Sequence, residues 1–212
     1  MRKYLLVAGL LSLLLCGVYS VADDDAPKTE IFGGYSFLHV DVGNFPIPNQ
    51  VPAGFNVDVT HYFFGPLGGT ADFQYHKKDY GDGTPAANCP ANSLCGSASI
   101  INFHAGPRFK ARVGKVEPFA HALLGFTHGS FTPNGGVIAD PGGRPATSFS
   151  DNAFSTKIGA GVDLVATRHW AIRLAEANFY YTKFKQTDQF NFNPGTDHQN
   201  NFTLSTGIVF RP

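Results

Sequence analysis

Methionine and tryptophan are almost missing from this 212-residue chain, with one of each, and only 15% of its residues are charged. The charges balance at 16 basic against 16 acidic, so no positive field exists to hold nucleic acid, and no nucleic-acid partner is expected. Beyond residue 22 no apolar run is long enough for a membrane-spanning helix, and helical amphipathic periodicity is scarce. The 8 histidines form no H-x-H or H-E-x-x-H motif, the cysteines no C-x-x-C pair, and no G-x-S-x-G occurs. These absences point away from a metal centre, dithiol redox chemistry and a motif-borne nucleophile. No cofactor and no enzymatic activity are expected. What the chain has in quantity is 20 Phe, 8 Tyr and 24 Gly.

The first residues do not belong to the folded domain. Met1-Arg2-Lys3 carries two cations, Tyr4 to Leu15 is almost wholly apolar, and "YSVADDDAP" sets small Ser20 and Ala22 before an acidic stretch. This is a secretory signal peptide over residues 1–22, cleaved after Ala22. The apolar run is too short for a comfortable membrane anchor, and Leu15 stands where a lipobox before Cys16 wants a small residue. Residues 23–29 then form a short N-terminal periplasmic segment, and 30–212 one domain. Cleavage leaves 14 basic against 16 acidic residues, and Cys89 and Cys95 as the remaining cysteines, in "NCPANSLCG". In an oxidising compartment these two are expected to close a small loop as a disulfide.

Period-two alternation recurs in eight segments. In "GFNVDVTHYFF", Phe55, Val57, Val59, His61 and Phe63 alternate with Asn56, Asp58, Thr60 and Tyr62. In "AFSTKIGAGVDL", Phe154, Ile158, Ala160 and Val162 alternate with Ser155, Lys157, Gly159 and Asp163. The most regular segment is the last, "NNFTLSTGIVFRP", in which Phe202, Leu204, Ile208 and Phe210 share one parity. Connections alternate strictly between short ("GPLG", "ARVGKV", "VATRH") and long ("DVGNFPIPNQVPA", "SFTPNGGVIADPGGRPATSFSD"). The pattern predicts an all-β fold: an eight-stranded antiparallel up-and-down transmembrane β-barrel with long outer loops and short periplasmic turns.

A soluble eight-stranded calyx would show the same alternation with its apolar face turned inward. Two features favour the membrane barrel. One parity repeatedly carries charge, at Glu30, Asp58, Asp72, Arg108, Glu117, Lys157, Asp163 and Arg173, which would line a hydrophobic calyx poorly. The other gathers aromatics near strand ends, at Phe37, Phe55, Phe63, Phe109, Phe126, Phe154, Trp170 and Phe210, as interfacial girdles do.

"GFNVDVTHYFF", "FHAGPRF", "VEPFAHALLGF", "IGAGVDL", "WAIRLAEANFYYTKF" and the terminal "LSTGIVF" resemble, in order and spacing, the small OmpA-like outer-membrane β-barrel family. The resemblance covers Ile31 to Phe210 and implies an eight-stranded barrel in a Gram-negative outer membrane. It implies no single activity, since members include structural anchors and adhesins. Larger members append a peptidoglycan-binding domain after the barrel, which is not expected of a sequence ending at Pro212. The family likeness also implies that the terminal aromatic strand is read by the outer-membrane insertion machinery. Arg211 and Pro212 are a departure from that ending.

An eight-stranded lumen is just filled by side chains, so its charges should pair across it. The expected lumen network is Glu30, Asp58, Asp72, Arg108, Glu117, Lys157, Arg173 and Glu176. In one register of the fourth and fifth segments, Arg108 faces Glu117 and His104 faces His121. Glu176 and Asn178 lie on the parity opposite to Arg173, so a β-bulge near Leu174–Ala175 is expected to return them to the lumen. His39, His76, Asp79, His128 and His198 lie near outer strand ends and are expected to be ordinary headgroup-level polar residues. The function expected is that of a monomeric integral barrel with a plugged lumen and a structural or surface-binding role carried by its outer loops. Its partners would be outer-membrane lipids, lipopolysaccharide, the insertion machinery and a surface partner of the loops. A small passive pore and a lipid-modifying enzyme are the alternatives.

Overall fold

The computed structural model describes residues 27–40, 50–51, 53–81, 84, 88, 95–134, 138–139, 145–146, 148–183 and 198–212. Eight long strands run through them: β1 (Thr29–His39), β2 (Ala53–Phe64), β3 (Leu67–Tyr80), β4 (Gly96–Lys110), β5 (Val116–Pro133), β6 (Phe149–Val165), β7 (Trp170–Lys183) and β8 (His198–Phe210). Each pairs antiparallel with the next, and β8 returns to β1, from Ile31 opposite Phe210 to His39 opposite Phe202. The sheet therefore closes into an eight-stranded up-and-down barrel with no free edge.

Strands of 11 to 18 residues exceed the 9–11 or so that cross a bilayer. The surplus lies on the outer side, because short turns tie the other ends together. Within the outer connections, Gln50–Val51 pairs with the end of β1, and Ile138–Ala139 pairs with Pro145–Ala146.

The barrel decides which parity faces where. Glu30, Asp58, Asp72, Arg108, Lys157 and Arg173 are buried inside, while Phe55, Val57, Leu124, Phe126, Ile158, Phe179 and Leu204 are exposed outside. An apolar belt of this extent on a barrel wall fits hydrocarbon, not water. Aromatic pairs rim it: Phe55 with Tyr75 (5.8 Å), Phe103 with Phe126 (5.8 Å) and, at the turn end, Trp170 with Phe210 (4.9 Å).

The β4–β5 hairpin departs from the expected register. Arg108 stands opposite His121, not Glu117, and His104 opposite Gly125, not His121. The chain reverses at Gly114-Lys115, where Val113 and Val116 exchange both backbone hydrogen bonds (3.1 and 3.2 Å) and Gly114 has φ +62°. A two-residue hairpin loop needs positive φ at its first position, and Gly114 is the residue there that adopts it without strain. Turn chemistry, not charge pairing, therefore sets this register. Gly114→Ala is expected to lower stability by about 1–2 kcal/mol, read from urea-induced unfolding in lipid vesicles.

Strand β7 breaks its alternation between Arg173 and Glu176 against β8, and between Arg173 and Ala175 against β6. Leu174 and Ala175 both point outward, and Glu176 and Asn178 return to the lumen. The extra residue spares the bilayer a carboxylate that would cost roughly 2 kcal/mol or more at depth.

Candidate functional site

The lumen is filled by a stack of ion pairs, built from inward residues of β1 to β7 and from Arg211 just after β8. At the periplasmic end, Lys110 Nζ lies 2.6 Å from Glu30 Oε2, 2.7 Å from Asp163 Oδ2 and 3.5 Å from Glu117 Oε2. Tyr62 donates its hydroxyl to the same Glu30 oxygen (3.1 Å). Arg211 turns inward after Phe210 to pair with Glu117 and, at 3.2 Å, with Glu30. His169 anchors that turn: Arg211 N donates to His169 O (2.9 Å), and His169 Nδ1 lies 2.9 Å from Arg211 O.

One layer further in, Asp58 receives Arg108 through both Nη atoms (2.8 and 3.1 Å) and Arg173 through Nη1 (2.6 Å). Arg173 also donates from Nε to Asp163 (2.9 Å) and from Nη1 to Glu176. Its guanidinium lies between the rings of Phe32 (4.1 Å) and Phe119 (4.4 Å), so the cation is held by π faces as well as carboxylates. Above it, Arg108 Nη2 contacts His121 Nδ1 (3.3 Å), and His121 Nε2 contacts Asn178 Oδ1 (2.8 Å). This pair of bonds assigns the imidazole proton to Nε2. Asn178 in turn donates to Glu176 Oε1 (2.9 Å).

The outer half is more neutral. Lys157 pairs with Asp72, His104 Nε2 meets Ser155 Oγ (2.8 Å), and Thr127 donates to Asn102 (2.7 Å). Leu38, Val40, Val51 and Tyr180, with Ile100 against them, form an apolar cluster at the outer end.

Among the described residues, six buried carboxylates (Glu30, Asp58, Asp72, Glu117, Asp163, Glu176) face five buried cations (Arg108, Lys110, Lys157, Arg173, Arg211). Arg112, at the periplasmic mouth, brings a sixth cation within 3.8 Å of Glu117. Near neutrality is what a low-dielectric core tolerates. Asp58 is 1% exposed, and Arg108, Lys157, Arg173 and Glu176 are 0% exposed, which leaves no water-wide passage beside them.

All eight residues of the expected network lie in the lumen. Lys110, Asp163 and Arg211 lie there beside them. Parity is the available signal: Lys110 continues the face of Arg108, and Arg211 lies opposite to Phe210. Phe32 and Phe119, apolar residues on the polar parity, carry no such signal.

The outer-rim candidates divide. His76 is not at a headgroup boundary. It is fully buried in the lumen, with Nε2 3.1 Å from Ser36 Oγ, because its even parity on β3 matches that of Asp72 and Gln74. His128 contacts Asn152 (2.8 Å), Asp79 lies 3.5 Å from Lys77, and His198 stacks on Tyr181 (5.3 Å). His39, opposite Phe202 at the end of β1, stands apart from these. They do not converge on one site. On the terminal strand, Phe202, Leu204 and Ile208 are exposed outward and Phe210 is partly covered by Trp170. Cys95 is buried, but Cys89, and with it the expected disulfide, lies outside the described residues. So do residues 1–22, expected to be a signal peptide, and most of the outer loops.

A closed barrel with an apolar belt outside and an ion-paired lumen inside is an integral outer-membrane β-barrel protein. The chain belongs to the outer membrane protein beta-barrel domain family, whose model matches residues 8–210. That membership places it in the outer membrane of a Gram-negative bacterium. Its fold is similar to that of Ail, the attachment invasion locus protein of Yersinia pestis, at 19% identity and TM-score 0.51, over 87% of this chain and 99% of that one. It is similar also to Neisserial surface protein A, at 14% identity and TM-score 0.50, over 87% of this chain and 96% of that one. No curated protein matches the chain.

Proposed function

We propose that the protein is a non-conducting structural and surface-binding barrel whose recognition is mounted on its outer loops. The observation that carries this reading is the lumen: an ion-pair stack with no water-wide passage makes a rigid scaffold and a poor pore. Rigid barrels with long loops at one end are where variable contacts are usually displayed. Ail is named for attachment and invasion, and adhesion is the form of surface binding brought over from it. The loop partner, lipopolysaccharide packing around the outer rim, delivery by the insertion machinery, a monomeric state and the Cys89–Cys95 bridge are parts of the same proposal.

A lipid-modifying activity is disfavoured by geometry. Among the described residues the serine–histidine contacts, His104–Ser155 and His76–Ser36, lie at 0% exposure inside the lumen, where no lipid reaches them.

Planar-bilayer recording tests the plug. The purified protein is expected to give no steady channels, and regular ohmic openings would overturn the non-conducting reading. For the loops, whole-cell binding to immobilised matrix glycans and proteins is expected to fall when residues 135–147 are replaced by a short Gly/Ser connection. Unchanged binding would remove that loop from the proposal.

A further inference from the structure

The periplasmic rim has a composition that neither the lumen nor the outer loops explain. Its described residues are 27–28 before β1, 65–66 between β2 and β3, 111–115 between β4 and β5, 166–169 between β6 and β7, and 211–212. The charged side chains there are all basic: Lys28, Arg112, Lys115, Arg168 and Arg211. Two of them are committed to the plug. Arg211 pairs with Glu117 and Glu30, while Arg112 reaches Glu117, donates to Pro27 O (3.2 Å) and stacks on Tyr62 (5.0 Å). The other three, Lys28, Lys115 and Arg168, are exposed, and no described side chain pairs with them. The buried carboxylates at this end, Glu30, Glu117 and Asp163, are already paired with Lys110, Arg173 and Arg211.

These cations are spread around the circumference, at the entry to β1, at the β4–β5 turn and at the β6–β7 turn. Beside them lies exposed apolar surface at the same end: Phe63, Phe64, Val113, Val116 and Trp170. An aromatic and aliphatic band with lysine and arginine just beyond it is the arrangement that seats a membrane protein at a headgroup layer. On the outer side the lysines have company of opposite sign, as in the Lys77–Asp79 pair. The periplasmic ring has no such side-chain partner among the described residues.

We propose that Lys28, Lys115 and Arg168 form a docking ring for anionic glycerophospholipids of the periplasmic leaflet, with each phosphate held against a cation and each acyl chain against the neighbouring apolar band. The ring is independent of the loops, so it can fail while the surface-binding reading stands. Charge attraction at a membrane surface changes affinity by about fivefold per cation and weakens with salt.

The test is native mass spectrometry of the folded barrel titrated with phosphatidylglycerol or phosphatidylcholine of matched chains. The wild type is expected to retain phosphatidylglycerol preferentially, with the preference falling as ionic strength rises. Lys28→Gln, Lys115→Gln and Arg168→Gln together are expected to bring the two lipids to equal retention. The outer-rim control Lys77→Gln with Lys183→Gln is expected to keep the wild-type preference. Heat-modifiable migration checks that every variant is folded. Equal retention of the two lipids by the wild type would overturn the proposal. So would a preference that survives in the triple variant, or one lost in the outer-rim control. A phosphatidylglycerol preference that appears only after residues 23–26 are deleted would assign the ring to the chain's own acidic segment instead, and would equally overturn it.

Discussion

Arg173→Ala is expected to lower the unfolding free energy by about 3–5 kcal/mol, the range for stripping one partner from a buried ionic cluster. Arg173 serves Asp58, Asp163 and Glu176 together, and its guanidinium lies between Phe32 and Phe119. The alanine variant keeps all three carboxylates at full burial. Arg108 and Lys110 still hold Asp58 and Asp163, so Glu176 is left worst off. The measurement is urea-induced unfolding in lipid vesicles, followed by heat-modifiable gel migration. Adding Glu176→Leu to Arg173→Met is expected to recover much of the loss, because well-packed apolar replacements of a buried pair are often near neutral. A single-variant loss below about 1 kcal/mol would mean that water reaches the plug, and would also weaken the non-conducting reading.

Ile158→Arg is expected to cost roughly 2–4 kcal/mol, the range for a cation at the midplane of a barrel's lipid face. Ile158 is 66% exposed on β6, between Ala122 of β5 and Phe179 of β7. Its chain neighbour Lys157 carries a charge at the same depth without harm, because it points inward to Asp72. The pair of positions makes the test specific. In a water-soluble barrel an exposed Ile158→Arg change would be neutral, so an unchanged unfolding midpoint in vesicles would argue against bilayer residence of this face.

Much of the barrel is visible in the order of residues. Alternation is a local property, and every strand can be read from it because side chains of a strand point to opposite faces in turn. The bulge at Leu174–Ala175 is legible for the same reason, since Glu176 falls on the wrong parity for a bilayer. The buried charges Asp58, Asp72, Arg108, Lys157 and Arg173 are legible as a class. Their pairing is not. Arg108 pairs with Asp58 across the lumen instead of with Glu117 along its own hairpin, and Glu117 is met by Lys110 and Arg211. His76 lies near a strand end yet inside the lumen, because parity on β3, shared with Asp72 and Gln74, decides its side.

Strand number, parity, the alternation of long and short connections and the tight turn at Gly114 are local, so the linear sequence determines them. Two features came only from the closed barrel. Closure decided which charges meet, because partners such as Asp58 and Arg173 lie 115 positions apart and are joined only when β8 pairs with β1. Finally, it turned Arg211 from a stray residue after the last aromatic into part of the lumen floor, because the strand that carries it can reach Glu30 and Glu117 only across a closed lumen.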